Sequence, residues 1–403
     1  MNEIGTLYVY ELKKTFNRKI VWIVGGIMLL LCVFLSLSDL ISNSTSYGAE
    51  EVSAYERMKI NQENARDLSG TVIDHTLQQK VKESTTNVKP KSMQKYAPIY
   101  FYMLKIIGND SMTSEIYFDK LYEELYEERE HQISQNRTDQ KLTEKERDIW
   151  RNRDAKIKTP FTFEYTDGWS NLWDFAYTIN YLLLLMLSIC LSNVFSVEHL
   201  RKTDAIILCS KYGRKELYFV KILAGITFGV TTALLFFGVT AAASILIYGA
   251  DGFHAAIQIA FPLCSWNISV GASVVILLFL LIAVAILYSA VIMFLSEILK
   301  NSVAVMAIPV GFMILTMLMD VPYQFRIASQ IYDLLPTNLL AAWELWDDRL
   351  VSILGYYVTN GQIAPIVYLL ITLLTLVIGN IRLEQDRTTC CRWRRQTISS
   401  CIH

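Results

Sequence analysis

The chain has 403 residues, of which 53% are hydrophobic and 19% are charged, and its formal net charge is -1. The charged residues lie in a few blocks separated by long apolar runs, which is untypical of a soluble protein. The net charge says nothing about nucleic-acid or acidic partners, because it averages over segments on different sides of a membrane. The long apolar runs lead us to expect an all-α polytopic membrane protein that contacts membrane lipid and binds no nucleic acid.

Six apolar segments approach the roughly 20 residues that a helix needs to cross a hydrocarbon core of about 30 Å. The first is longer than a signal-peptide core and no cleavage site follows it, so we interpret it as an uncleaved anchor. The fifth is short and contains Pro309 and Gly311. The predicted transmembrane segments are 20–40, 175–195, 222–247, 270–295, 302–318 and 363–381.

The first predicted element is a cytoplasmic helix over residues 1–19. Ile4, Tyr8 and Leu12 recur every four residues and form an apolar stripe, which is typical of an amphipathic helix. We expect this helix to lie flat in the membrane interface. The alternative is a positively charged flank that only sets the topology. The residues assigned to this interfacial helix are Tyr8, Leu12, Lys13, Lys14 and Phe16.

Residues 41–174 form a long hydrophilic segment between the first two spans, rich in Glu, Lys, Gln and Tyr. Helices are predicted around 51–83, 117–126 and 142–154, with an apolar aromatic stretch at 96–107 that packs against them. We interpret the segment as a compact, mainly helical extracellular domain. A solvated helical stalk is the alternative for its charged part. The segment contains no cysteine, which fits a bacterial cell surface.

The distribution of lysine and arginine predicts the orientation. Sixteen of them lie in the segments 1–19, 196–221, 296–301 and 382–403. The short segments 248–269 and 319–362 contain two, Arg326 and Arg349. Both termini are therefore predicted to be cytoplasmic, in a multi-pass protein of the plasma membrane.

The cytoplasmic segment 196–221 carries the most specific signal. Glu198 opens it, basic residues follow, and 205–208 is a short apolar patch. A turn at 210–213 then precedes Arg214, which is predicted to start a helix that continues into the third span. Such a segment offers an apolar patch to a partner and charges that fix its register. A basic loop without a partner is the alternative.

Two further segments follow the fifth span. Residues 319–362 are predicted to form short extracellular helices at the outer interface, because Trp343 and Trp346 suit that depth. The cytoplasmic tail 382–403 carries five arginines and is expected to meet anionic lipid. The spacing of its cysteines and its histidine matches no common zinc site, so no metal ligand is assigned. These residues are Cys390, Cys391, Cys401 and His403.

Motifs for catalysis are absent from the sequence. The central turns of the six spans contain no ionisable residue, which argues against a proton- or ion-coupled carrier. There is no phosphate-binding loop, no H-E-x-x-H and no G-x-S-x-G. We predict that the chain is not an enzyme by itself, that it has no catalytic residue, and that any energy for transport comes from another protein.

The segment 196–221 resembles the signature region of ABC-2 type transporter permeases. Lys202 stands where the family has glycine, and the turn lacks the usual proline. The large domain after the first span resembles that of bacterial permeases for sodium export or for antimicrobial-peptide export and immunity. The residues that the resemblance assigns to coupling with an ATPase are Glu198, Arg201, Lys202, Thr203, Ser210, Arg214 and Lys221.

This resemblance implies a permease subunit that dimerises with itself or with a second permease. Separate cytoplasmic ABC ATPase subunits would bind ATP and Mg, so no cofactor binds this chain directly. The expected cargo is a peptide, an antimicrobial or another amphipathic substrate. The alternatives are a sodium-exporter permease, a non-transporting sensor or scaffold, a membrane enzyme, and a four-span permease.

Overall fold

A computed structural model describes residues 3–41, 45–47, 50–86, 90–107, 124–200, 215–299 and 301–400, with side chains up to residue 382. The chain is mostly helical, at 77%. The first half contains α1 (Glu3–Phe16), α2 (Lys19–Ile41), β1 (Thr45–Tyr47), β2 (Glu50–Val52), α3 (Ala54–Leu68), α4 (His75–Thr86), α5 (Pro90–Ile107), α6 (Leu125–Asp139) and α7 (Glu144–Asp154). The second half contains α8 (Asp167–Leu191), α9 (Asn193–Leu200), α10 (Lys215–Tyr248), α11 (Ile257–Ala260), α12 (Val270–Leu299), α13 (Ser302–Leu318), α14 (Arg326–Asp333), α15 (Ala342–Leu345), β3 (Val351–Ile353), β4 (Tyr356–Val358) and α16 (Asn360–Ser400).

Within this part of the chain, five helices are long and apolar enough to cross a membrane. The remaining predicted span, the fifth in chain order, is α13, a shorter apolar helix of 17 residues with Pro309 inside it. The prediction of several apolar spans is thus confirmed, and the count of six stays a prediction. The five candidate spans are Lys19–Ser38, Asp167–Glu198, Glu216–Tyr248, Val270–Leu299 and Asn360–Arg382.

The bundle is built around three helices that pack against one another, α8, α10 and α12. α2 packs on α8 and α10, whereas α13 and α16 pack on α12. Leu183 and Val284 are fully buried between these helices, but Trp22, Leu246 and Leu318 are 70%, 85% and 81% exposed. An apolar surface of this kind is favourable in hydrocarbon and unfavourable in water, so it supports a membrane location.

The described residues between 45 and 166, called the inserted domain, form a second core at one end of the bundle. α3, α4 and α6 pack against α5, and Ile73, Ile99 and Met103 are completely buried there. Tyr248, the last residue of the bundle helix α10, and Ile259 in α11 belong to the same core. The end of the bundle that carries this domain is called the domain end, and the opposite end is called the α1 end.

Two predictions for these segments need correction. The helix predicted around 51–83 is two helices, because Gly70 adopts a left-handed φ of +84°. The connection after α3 pairs instead with residues 161–163, where Ile73 N–H donates to the carbonyl of Phe161 at 2.8 Å. The chain is not wholly α-helical either, since β1–β2 and β3–β4 form two short antiparallel hairpins. The helix predicted around 117–126 lies mostly outside the described residues.

α8 and α10 approach closely at the domain end. A Cβ built on Gly168 would overlap the carbonyl oxygen of Gly249, and Ser244 Oγ donates to the carbonyl of Gly168 at 3.0 Å. Gly168 lies within α8, and the N–H of Gly249 donates to the carbonyl of Ile245 in α10 at 2.8 Å, so neither backbone can move aside cheaply.

We expect Gly168→Ala to lower the free energy of unfolding by about 1–3 kcal/mol, because it overpacks this contact. Gly238→Ala in α10 is the matched control, since no atom lies within 4 Å of the added Cβ. The midpoints of thermal unfolding of both variants in the same detergent measure the difference. Equal midpoints would contradict the tight packing described here.

Candidate functional site

Four charged side chains meet at the α1 end, and they are called the charged cluster: Glu11, Lys14, Glu198 and Lys221. Lys14 Nζ donates to Glu198 Oε1 at 2.9 Å and to Glu11 Oε2 at 3.4 Å. Lys221 Nζ donates to the other oxygen of Glu198. Glu198 therefore joins the N-terminal helix α1 to the start of the long helix α10.

The charged cluster is largely removed from solvent. The side chains of Lys221 and Glu198 are 2% and 15% exposed. Lys221 Nζ also lies 4.9 Å from the ring centroid of Phe195. Two lysines face two carboxylates, so the formal charges balance, and this balance is needed because an unpaired buried charge is costly.

Lys14 is the most exposed member of the charged cluster, with 36% of its side chain exposed, and its carboxylate partners stabilise its charge. Burial on its own lowers the pKa of Lys14, but the hydrogen bond to Glu198 and the charges of Glu11 and Glu198 outweigh it. The pKa of Lys14 is therefore raised above its ordinary value, and the ammonium stays charged.

Other contacts hold α1 against the bundle. Tyr8 Oη donates to Thr227 Oγ1 in α10 at 2.8 Å, and the rings of Phe16 and Phe228 meet edge to face with centroids 5.3 Å apart. Arg18 donates to the backbone carbonyl of Cys190 at the end of α8 at 3.3 Å. α1 is thus held against α10, and Arg18, just after α1, contacts the end of α8.

The side of α1 that faces the bundle differs in part from the predicted apolar stripe. Glu11 and Thr15 are buried, whereas Ile4 is 48% exposed. Leu12 is half-buried and Lys13 is exposed. The burial of Glu11 follows from its contact with Lys14, and Ile4 is left available to lipid.

α9 is anchored to the bundle by serine hydroxyls. Ser296 Oγ in α12 accepts from the backbone N–H of Phe195 and of Ser196, at 3.1 and 3.2 Å. The hydroxyls of Ser196 and Ser302 lie 2.6 Å apart, which links α9 to α13. Movement of α9 would therefore be transmitted to α12 and α13.

The structure thus brings together three of the residues predicted from the sequence: Lys14, Glu198 and Lys221. These flank the connection 201–214, which joins α9 to α10. Glu11 was not predicted, although its spacing of three residues from Lys14 is a signal for a helical ion pair. The remaining predicted coupling residues lie outside the described residues: Arg201, Lys202, Thr203, Ser210 and Arg214.

A second group of ion pairs lies at the domain end, in the connection between α13 and α16. Arg349 is 4% exposed and binds the carboxylates of Asp333, Glu344 and Asp347 at 2.6, 2.9 and 2.8 Å. Its guanidinium also lies 4.3 Å from the ring centroid of Tyr323. These four charged residues, Arg349 and the three acids, are called the Arg349 cluster.

The inserted domain is attached to the same connection by two further arginines. Arg137 in α6 binds Asp348 and Asp154 at 2.6 and 2.7 Å. Arg326 binds Glu146 in α7, and that carboxylate also accepts from the backbone N–H of Leu350 at 3.0 Å. In the sequence, Arg326 and Arg349 indicate only the orientation, and these contacts were not predicted.

Burial raises the pKa of several carboxyls in this region. The pKa of Asp348 rises to about 6 in spite of Arg137. In the Arg349 cluster, burial and the neighbouring carboxylates raise the pKa of Glu344 to about 8 and that of Asp347 to about 6. One guanidinium cannot neutralise three carboxylates, so protonation of these carboxyl groups is favoured.

Within the described ranges, no group of three or more His, Cys, Asp or Glu side chains is placed to hold a metal ion. The side chains of Cys390, Cys391, Cys401 and His403 lie outside the description.

Comparisons with protein-family models, with characterised proteins and with solved structures find no match to this chain.

Proposed function

We propose that the chain is the permease subunit of an ATP-driven transporter of the ABC-2 type. It crosses the membrane six times, with α13 as the shortest span, both termini in the cytoplasm and the inserted domain outside a bacterial cell. The charged cluster at the α1 end carries the proposal, because it ties the N-terminal helix to both flanks of the connection 201–214.

The charged cluster suggests how a separate ATPase drives the bundle. The ATPase docks on the connection 201–214 and α1, and its nucleotide-bound and nucleotide-free states contact these segments differently. Force applied there reaches α10 through Lys221 and reaches α12 and α13 through the serine contacts of α9. Two copies of the chain, or this chain and a second permease, form the pathway, and the ATPase subunits bind ATP and Mg.

The cargo that we propose is a peptide, an antimicrobial or another amphipathic molecule, which is exported or cleared from the membrane. The support is the apolar character of the spans, whose central turns carry no ionisable residue. A sodium exporter of the same architecture would fit less well with this distribution of charge. A sensor that uses the inserted domain would fit less well with the charged cluster.

The proposal is tested with the full chain and a cytoplasmic ATPase encoded beside it, co-purified in lipid nanodiscs. We expect Lys14→Glu to reduce stimulation of the ATPase by at least about fivefold, because it places a third carboxylate beside Glu198. Lys145→Glu is the charge-matched control, since Lys145 is exposed on α7 of the inserted domain, away from the α1 end.

Two results would contradict the proposal. One is the failure of any neighbouring ATPase to bind, which would favour a sensor or scaffold. The other is equal ATPase stimulation by the Lys14→Glu variant and the unaltered chain, provided that both remain folded and assembled.

A further inference from the structure

The hairpin β3–β4, which lies between the Arg349 cluster and the last candidate span, ends in an exposed apolar turn. Leu354 and Gly355 form this two-residue turn, and their φ angles of +51° and +88° are typical of a type I′ turn. Asn, Asp and Gly are preferred at such positions, because a bulky side chain is strained at positive φ. Leu354 nevertheless occupies the first position, and its side chain is 95% exposed.

The apolar character extends beyond the turn. Ile353 and Tyr356 pair across the hairpin, and Tyr356 is 78% exposed. The sequence contains no Asp, Glu, Lys, Arg or His from Leu350 to Ile381. The uncharged stretch that includes the last candidate span therefore begins before the hairpin. An apolar surface of this kind is unfavourable in water, so it indicates contact with an apolar partner.

The neighbouring helix α14 has the reverse of the usual amphipathic pattern. Its residues Ser329 and Asp333 are buried, and Asp333 binds Arg349. Ile327 and Ile331 lie one turn apart on the opposite side of the helix and are 74% and 59% exposed. A helix at the border with water buries its apolar side and exposes its polar side. The outward side of α14 is therefore suited to lipid.

Both apolar surfaces lie beside the ends of apolar helices of the bundle. Tyr356 is four residues before Asn360, where the last candidate span begins, so its backbone lies within about 14 Å of that span. The hydroxyl of Tyr332 in α14 lies within hydrogen-bonding distance of the carbonyls of Thr316 and Met319, at the end of α13. The apolar phase at this position is the bilayer itself.

We propose that the tip of β3–β4 and the outward side of α14 form a lipid-docking surface, which inserts into the membrane leaflet next to the domain end. Leu354 and Tyr356 lie just below the headgroups, a depth at which tyrosine is favoured. At this depth the free backbone groups of the hairpin still reach water. The sequence predicts short helices at the interface but no inserted hairpin. The proposal goes beyond transport, because it needs only a membrane and no ATPase.

The test uses the full chain in nanodiscs of phosphatidylcholine, with Tyr356 replaced by photoreactive p-benzoylphenylalanine. After illumination, mass spectrometry measures lipid adducts on the peptide that contains position 356. We expect a yield of phosphatidylcholine adduct at least about fivefold above that of the same replacement at His131. His131 is the matched control, because its side chain is 67% exposed on the side of α6 opposite the buried Arg129.

A second variant tests the turn itself. Asparagine tolerates positive φ better than leucine, so Leu354→Asn is expected to preserve the hairpin while removing its most exposed apolar side chain. The yield of lipid adduct at position 356 is expected to fall severalfold.

Three results would overturn the inference. Equal yields of lipid adduct at positions 356 and 131 would exclude insertion. An unchanged yield in a folded Leu354→Asn variant would exclude anchoring by the turn. Cross-linking of one chain to another, in place of lipid, would assign this surface to a second copy of the chain.

Discussion

Replacing Glu198 with glutamine is expected to destabilise the protein by about 3–5 kcal/mol, the usual cost of removing one partner of a buried ion pair. Glu198 binds Lys14 and Lys221 at once, and the side chain of Lys221 is only 2% exposed. Without the carboxylate, the buried ammonium of Lys221 loses its hydrogen-bonded counter-charge and keeps only the weaker attraction of Glu11. The midpoint of thermal unfolding in detergent measures the loss.

Two further variants separate this effect from general damage. Lys221→Met is expected to cost less than Glu198→Gln, because Glu198 keeps Lys14 as a partner and is 15% exposed. The double variant Glu198→Gln/Lys221→Met is expected to recover much of the stability, since it leaves no unpaired charge in the pair. Additive losses in the double variant would show that the two side chains do not interact.

Replacing Arg349 with methionine is expected to have the second large effect, again about 3–5 kcal/mol at neutral pH. Asp333, Glu344 and Asp347 would face one another without their shared guanidinium, and none of their side chains is more than 19% exposed. The loss should appear as a lower midpoint of unfolding. Arg151→Met is the control, because the side chain of Arg151 is 73% exposed and its pair with Asp148 is solvated.

The pH dependence of the free energy of unfolding provides an independent test of the Arg349 cluster. Because burial raises the folded-state pKa of Glu344 to about 8 and that of Asp347 to about 6, the folded protein binds more protons than the unfolded one above about pH 4. These two groups therefore make stability fall as the pH rises from about 4 towards 8.

Arg349→Met should steepen this fall, because losing the guanidinium raises the pKa of the same carboxyls further. Most of the stability that Arg349→Met removes at pH 8 should be restored when the variant is measured at pH 5. An equal loss at both pH values would show that Arg349 acts through packing and not through charge.

The helices of the bundle could largely be predicted from the sequence, because a run of about 20 apolar residues is a local signal that needs no knowledge of partners. α13 is the exception in length, with 17 residues and an internal proline. The break between α3 and α4 was missed, since it depends on a pairing of residues 70–73 with residues 161–163, far along the chain.

The candidate site could be predicted only in part, for the same reason. Glu198 and Lys221 were identified through a resemblance in one segment, and Lys14 through the periodicity of α1. The contact between Lys14 and Glu198 was not predictable, because the two residues are 184 positions apart in the sequence. Arg137 and Asp348 are 211 residues apart, and no local pattern around either residue indicates the other.

The central claim is that the charged cluster transmits force between a partner ATPase and the bundle, and not merely that it stabilises the fold. The Glu198→Gln/Lys221→Met double variant tests it most directly, because this variant is expected to stay folded while losing the charged link to Lys14. In complex with the ATPase in nanodiscs, we expect it to stimulate ATP hydrolysis at least about fivefold less than the unaltered chain. A folded, assembled double variant that stimulates the ATPase as strongly as the unaltered chain would contradict the claim.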